Sequence, residues 1–300
     1  MIEDMSSEKR MKSTMARYMD PAIAEKLLAG GEDVLGGKSV TATVLFSDIR
    51  SFTTITEELG AQGTVSLLNE YFTIMVDCIQ REGGMLDKFI GDAIMAVFGI
   101  PVQHPDDADR AVRAAIAMIR ELTVWNRERA ASGKPLVRIG VGLNTDAVVA
   151  GNIGSKKRMD YTVIGDGVNL ASRLESACKT YGTQILISEF TYKALKATYT
   201  TRELDVVVVK GKSQPVAVYE VMDHHTDESY PGLMDALRQF REALAQYRKR
   251  RFREAAAAFH EVLAINPADK AAQIYIDRCE YFERTPPPQD WNGVWIMEGK

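Results

Sequence analysis

Met85-Leu86-Asp87-Lys88-Phe89-Ile90-Gly91-Asp92-Ala93-Ile94-Met95-Ala96-Val97-Phe98 is two strand-length apolar segments joined by a Gly-Asp pair. Glycine accepts the positive φ of a tight turn, so the stretch reads as a β-hairpin that raises the Asp92 carboxylate at its turn. A second carboxylate, Asp48, ends another strand-like run at 41–47. Carboxylates at two adjacent strand ends suit hard divalent cations, which take oxygen ligands and share them with substrate phosphates.

Outward from the hairpin, strand-like and helix-like segments alternate over residues 38–222. The strand 41–47 leads to a helix at about 61–81, then the hairpin, then a helix at about 105–129. After the loop Ser132-Gly133-Lys134-Pro135 come strand-like stretches at 136–144 and 147–150, a helix at about 167–181, and closing strands at 184–187, 204–209 and 217–221. Strand, helix, hairpin, helix, strand is the order of an α+β fold whose sheet contains antiparallel pairs and carries its helices on one face, the ferredoxin-like βαββαβ plan.

With 300 residues, 46% hydrophobic and 26% charged, the composition is that of an ordinary soluble globular protein with room for an ample core. The longest nearly uncharged run, 93–104, is far short of the roughly 18 apolar residues of a membrane span, and no signal-peptide apolar region opens the chain. A soluble, cytoplasmic chain without a membrane span is therefore expected. The cysteines Cys78, Cys178 and Cys279 are far apart and form no C-x-x-C pair, which fits reduced, buried thiols. A net charge of -4 argues against a nucleic-acid partner.

Residues 1–37 read as an N-terminal helix and linker, with Met11, Met15, Tyr18 or Met19, Ile23 and Leu27 in one stripe and Gly30-Gly31 and Gly36-Gly37 beyond it. That stripe either packs on its own domain or pairs with a second copy as a short coiled coil relaying a signal from an upstream sensor. Past residue 222 the composition turns to Ala, Arg and Glu. Residues 223–285 read as a helical extension, and 286–300 as a Pro-rich tail whose Trp291 and Trp295 are expected to dock. Phe252-x-x-Ala255-x-x-x-Phe259-x-x-Val262-Leu263-x-x-x-Pro267, with a further helix at 270–282, resembles half of a tetratricopeptide unit. One such unit cannot bury its own faces, so docking on the main domain or on a dimer partner is expected.

Several motifs fail their tests. Gly31-x-x-x-x-x-Gly37-Lys38-Ser39 has one residue too many for a phosphate-binding P-loop and no strand before it, and Thr145 stands where Gly140-x-Gly142 would need a third glycine for a dinucleotide fingerprint. His104, His224, His225 and His260 lack ligand spacing for zinc. Arg248-Lys249-Arg250-Arg251-x-Arg253 reads as a solvated helix surface.

Phe46-Ser47-Asp48-Ile49-Arg50-Ser51-Phe52-Thr53 is different: an acidic residue after an apolar strand is followed by polar residues opening a helix, whose free N–H groups can cradle phosphate oxygens. Asp48 alone is explained as a helix cap and Asp92 as a turn residue; with Lys88 four positions before Asp92 they form a constellation. In Tyr161-Thr162-Val163-Ile164-Gly165-Asp166-Gly167-Val168-Asn169-Leu170-Ala171-Ser172-Arg173, Asn169 and Arg173 share one helix face. An amide beside a guanidinium suits a ribose oxygen and a phosphate.

These residues resemble the class III nucleotidyl cyclases, through Phe-Ser-Asp-Ile-Arg-x-Phe-Thr, Lys-Phe-Ile-Gly-Asp, Tyr-Thr-x-Ile-Gly-Asp-x-Val-Asn-x-Ala-Ser-Arg and Val-Lys-Gly, over residues 38–222. The resemblance implies active sites shared across a head-to-tail homodimer. It implies two Mg2+ or Mn2+ ions held by Asp48, Asp92 and the Ile49 carbonyl, with Arg50, Ser51, Phe52 and Thr53 in the phosphate loop. It also implies Lys88 and Thr162 as the purine-selecting pair, Asn169 on the ribose, Arg173 on the transition-state phosphate and Lys210 on the triphosphate. Guanylate cyclases of the family usually carry Glu and Cys at the selecting positions, so Lys88 and Thr162 point to ATP. Thr at that position resembles a subgroup often stimulated by bicarbonate. The chain departs from the family at Thr145-Asp146-Ala147, where an altered loop is expected.

Overall fold

The computed structural model describes residues 37–155, 157–208, 215–291 and 293; the expected helix at 1–29, Lys210 and Trp295 lie outside them. The opening stretch forms the hairpin β2 (Met85–Ile90) and β3 (Ala93–Phe98), joined by Gly91 and Asp92, with Ile90 paired to Ala93 and Gly91 at φ 65°. Beside it runs β1 (Lys38–Ile49), antiparallel to β3 with Ser47 opposite Ile94. Alternate residues of both strands face different cores, so neither shows period-two polarity. Leu45, Ile94, Ala96 and Phe98 pack with helices α1 (Phe52–Arg81) and α2 (Asp107–Ala131). Ala42, Val44, Met95 and Val97 face the other side, against Val148, Val163 and Ala171.

The remaining elements are β4 (Ile139–Ser155), β5 (Arg158–Ile164), α3 (Asp166–Tyr181), β6 (Ile185–Ser188), α4 (Glu189–Ala194), β7 (Thr201–Val208), β8 (Pro215–Val221), α5 (Leu233–Arg248), α6 (Phe252–Ile265) and α7 (Lys270–Arg284). The described strands form one 8-stranded sheet, ordered β2-β3-β1-β4-β6-β8-β7 with β5 paired to β4. Its β2-β3-β1-β4 half has the expected βαββαβ strand order, but the helices do not all lie on one face: α1 and α2 cover one side, while α3 packs on the other, against Gly142 and the Val44–Met95–Val97 side.

Several boundaries differ from the sequence expectation. The span α1 is two helical segments: Gly60 (φ 64°, ψ 179°) is non-helical, so the helix expected from about 61 is preceded by a short segment from Phe52 that the sequence reading did not anticipate. β4 is a single strand of 17 residues where two stretches were expected, and Thr145-Asp146-Ala147 makes no loop: these residues pair with Thr43, Ala42 and Thr41. β5, which carries Thr162, was missed as a strand, and the short α4 was missed as a helix; α5 falls within the stretch read as helical, without bounds of its own. Gly142 serves packing, since a Cβ there would sit 2.2 Å from the Glu175 nitrogen and 2.4 Å from the Ala171 carbonyl, so its absence lets α3 lie on β4.

The C-terminal helices share a core with the sheet. Leu170, Leu174, Cys178 and Tyr181 of α3 cluster with Leu204, Val216 and Val218 and with Phe240, Phe259 and Tyr275. Buried ion pairs cross the same boundary: Arg202 of β7 reaches Glu220 and Asp269, each at 2.6 Å, and Arg278 of α7 reaches Asp205 of β7 at 2.7 Å. The basic run straddles a helix break instead of wrapping one helix. Arg248 ends α5 and pairs with Glu203 at 2.5 Å, while Arg250 (φ 61°) donates to the Pro287 and Gln289 carbonyls. Those contacts lay the tail down so that Trp291 stacks edge-on to Tyr247, at 5.3 Å between ring centroids. Cys78, Cys178 and Cys279 are buried free thiols.

Candidate active site

The carboxylate pair forms where β1 ends beside the start of β3. Asp48 occupies the penultimate position of β1 and accepts from the Ile49 N–H at 3.0 Å, while the turn delivers Asp92 beside it. Burial, and then the hydrogen-bonded, like-charged neighbour Asp48, push the Asp92 carboxyl up to about 6. Beneath them lies the buried ring of Tyr71, whose hydroxyl is 3.4 Å from Ser47 Oγ. Two ionised carboxylates this close repel unless a cation lies between them. The donor set fits a magnesium-type ion, which needs only one or two carboxylates when phosphates complete its shell. Among the described residues no group of three or more His, Cys, Asp or Glu side chains offers a metal site made by the protein alone.

After Asp48 the chain turns sharply into α1. Ser51 holds a left-handed conformation (φ 56°, ψ 35°), and its side chain does not cap the helix, so the first-turn N–H groups at Phe52 and Thr53 lack a side-chain acceptor from it. Arg50 is committed within the chain. Its N–H donates to the Arg138 carbonyl at 2.7 Å, and its guanidinium meets the Glu175 carboxylate and the Glu175 carbonyl, each at 3.0 Å. Arg50 therefore braces the loop against α3. Burial, opposed by Arg50 and reinforced by Asp48, pushes the Glu175 carboxyl up to about 7.

A second grouping lies where β5 meets β2. Thr162 donates its hydroxyl hydrogen to Asp87 Oδ2 at 2.8 Å, and Lys88 Nζ lies 3.5 Å from the same oxygen. The Asp87 side chain is 1% exposed and that of Lys88 39%. Burial raises the Asp87 carboxyl above its ordinary range, and the Thr162 and Lys88 contacts oppose that rise.

Asn169 and Arg173 are exposed, one turn apart on α3, as their spacing requires. One chain thus joins Asp48 to Asp92 and Lys88 to Thr162, and carries the Asn169–Arg173 face on a third element. Sequence reasoning gave no role to Asp87, which stands inside the opening stretch, or to Glu175, two residues beyond Arg173. A carboxylate next to Lys88 in a strand whose other residues are apolar was the available signal for Asp87.

Residues 37–223 match the family described as the adenylate and guanylate cyclase catalytic domain. The chain is 37% identical over 279 residues, 90% of its length, to the terminal-differentiation-specific adenylate cyclase of Dictyostelium discoideum, and that stretch is 13% of the relative. It also covers only 32% of adenylate cyclase 1 of Rhizobium meliloti (strain 1021), at 34% identity over 70% of this chain. Among solved structures, the adenylyl cyclase CyaB from P. aeruginosa is 42% identical (TM-score 0.59, covering 64% of this chain and 99% of that one). The guanylyl cyclase Cya2 is 40% identical (TM-score 0.58, covering 62% and 94%). The carboxylate pair at the ends of β1 and β2-β3, the left-handed turn at Ser51 and the extent of these matches converge: this chain belongs to the adenylate and guanylate cyclase catalytic-domain family.

Proposed function

We propose that the chain is an adenylate cyclase that converts ATP to 3',5'-cyclic AMP and pyrophosphate at sites shared across a head-to-tail homodimer. Overall likeness does not choose the base, because an adenylyl and a guanylyl cyclase are almost equally similar to the chain. The observation that carries the reading is Lys88 beside Thr162, joined through Asp87. An ammonium donates to the adenine ring nitrogen N1, and a hydroxyl accepts from the 6-amino group, whereas guanine has an N–H and a carbonyl at those places.

The reaction is intramolecular, the ribose 3'-hydroxyl attacking the α-phosphorus, so catalysis is chiefly positioning and charge stabilisation. Asp48, Asp92 and the Ile49 carbonyl would hold Mg2+ or Mn2+ ions, which when bound would make the 3'-hydroxyl more acidic and neutralise phosphate charge. The N–H groups at Ser51, Phe52 and Thr53 receive phosphate oxygens, with Arg50 holding their loop in place. Asn169 orients the ribose and Arg173 takes up charge growing on the α-phosphate, both from the partner chain. Losing such a donor costs about 10² to 10³ in rate. Lys210 contacts the triphosphate. The wider reading places the chain in cytoplasmic signal transduction, with a sensor upstream, a tetratricopeptide-like extension at 223–285 and bicarbonate as a candidate activator.

Two measurements test this. ATP should be cyclised in preference to GTP; equal or reversed preference refutes the substrate. A mixture of inactive Asp48→Ala and Arg173→Ala chains should regain activity, because a heterodimer contains one whole composite site; no regain refutes the shared site.

A further inference from the structure

Asp87 is the extra residue of a β-bulge. In the β2-β3 ladder Leu86 faces Ala96 and Lys88 faces Met95, leaving Asp87 without a partner in register. A bulge re-aims side chains. Here it brings the Asp87 carboxylate to the same side as Lys88 and against Thr162 on a distant strand. The carboxylate is nearly sealed from solvent, and its Oδ1 has no hydrogen-bond partner among the described residues. A buried, half-satisfied carboxylate costs stability that an apolar residue of similar size would not. Its retention in a six-residue strand of otherwise ordinary composition calls for a role that an apolar residue cannot fill.

We propose that Asp87 is the positioning residue for base choice: it fixes the Thr162 hydroxyl as an acceptor and anchors Lys88, so that the pair reads a 6-aminopurine. A free hydroxyl has one hydrogen and two lone pairs, and rotates to donate or accept as its neighbour requires. Such a rotor would serve a 6-amino group and a 6-oxo group alike. With its hydrogen committed to Asp87 Oδ2, Thr162 has only lone pairs left for the ligand. A 6-amino group donates to those lone pairs; a 6-oxo group meets them with lone pairs of its own. The same oxygen draws in the Lys88 ammonium, setting the donor for N1 beside the acceptor for the amine.

The inference rests on the ATP reading above and is tested within it. The substrates are ATP and purine riboside triphosphate, which keeps N1 and lacks the 6-amino group. The proteins are wild type, Asp87→Leu, Thr162→Val and the double variant, each checked for thermal unfolding. Wild type should prefer ATP in kcat/KM, and Asp87→Leu should cut that preference roughly tenfold, the scale of one mispaired buried hydrogen bond, chiefly through KM. The double variant should match Thr162→Val alone, since Asp87 acts on the amine through that hydroxyl. A merely structural role would lower both substrates equally and leave the ratio intact. Asp87→Asn, whose amide can donate to Thr162 as well as accept, accompanies the series and should also lower the preference. If wild type does not prefer ATP to GTP, the substrate reading falls and this inference with it; if it prefers ATP to GTP but not to purine riboside triphosphate, this inference alone falls. If wild type prefers ATP and whichever Asp87 variant folds keeps the ratio unchanged, or the double variant falls below Thr162→Val, the role of Asp87 alone is overturned.

Discussion

Replacing Asp92 by Asn should stabilise the metal-free protein while abolishing its chemistry. In the folded chain burial and Asp48 raise the Asp92 carboxyl from 3.8 to about 6. Between those values the folded state binds a proton more tightly than the unfolded state, so stability falls as pH rises from about 4 to about 6 and remains at the lower level above. A change of that size corresponds to ~3 kcal/mol at full strength, and solvent screening of this partly exposed carboxyl reduces it to ~1 kcal/mol. Asn carries no charge to lose, so at pH 8 in a chelator Asp92→Asn should unfold about 2–4 °C above wild type. The advantage should shrink toward pH 4.5, where wild type keeps its proton. Thermal unfolding followed by circular dichroism across that range measures the effect. Adding Mg2+ with a non-hydrolysable ATP analogue should stabilise wild type and not the variant. A variant less stable than wild type at pH 8 without metal, or one equally stabilised by Mg2+ and nucleotide, would refute the view that the two carboxylates form a strained pair awaiting a cation.

Gly142→Ala should weaken both fold and activity: its Cβ would fall 2.2 Å from the Glu175 nitrogen, forcing α3 and with it Asn169 and Arg173 off β4, at a cost of about 1–3 kcal/mol in urea unfolding and a larger loss in kcat than in KM. Truncating Arg202 to Ala leaves Glu220 and Asp269 as uncompensated buried charges, which should cost about 3–5 kcal/mol and expose the segment after α5 to limited proteolysis. At Ser51, whose φ is 56°, Gly should be nearly neutral for stability, whereas Val should cost about 1–2 kcal/mol and slow turnover by displacing the phosphate loop. Chelation of divalent metal should abolish turnover and leave the far-ultraviolet spectrum unchanged, because buried apolar clusters rather than the carboxylate pair hold the helices on the sheet.

Much of the site was legible because its residues lie in short motifs governed by local rules. Gly91-Asp92 between apolar runs could only be a tight turn, and its carboxylate follows from that. Asn169 and Arg173 share a face by helical period alone. What escaped was long-range. β5 is a short strand whose residues read as a motif, and it pairs with the far end of β4, an extension visible only once β4 runs unbroken through Thr145-Asp146-Ala147. The resemblance placed Arg50 in the phosphate loop, and only the fold shows that its guanidinium is held by Glu175, 125 residues away.

The order of apolar segments and turns by itself determined the hairpin, the βαββαβ half of the sheet and the identity of the charged residues, since these depend on period, turn chemistry and residue type within a few positions. The tertiary structure alone decided which of those charges meet. A one-residue bulge turns Asp87 inward to join Lys88 with Thr162, and Gly142 admits α3 close enough for Glu175 to hold Arg50. Contacts between residues tens to more than a hundred positions apart are set by packing and register, which no local pattern encodes.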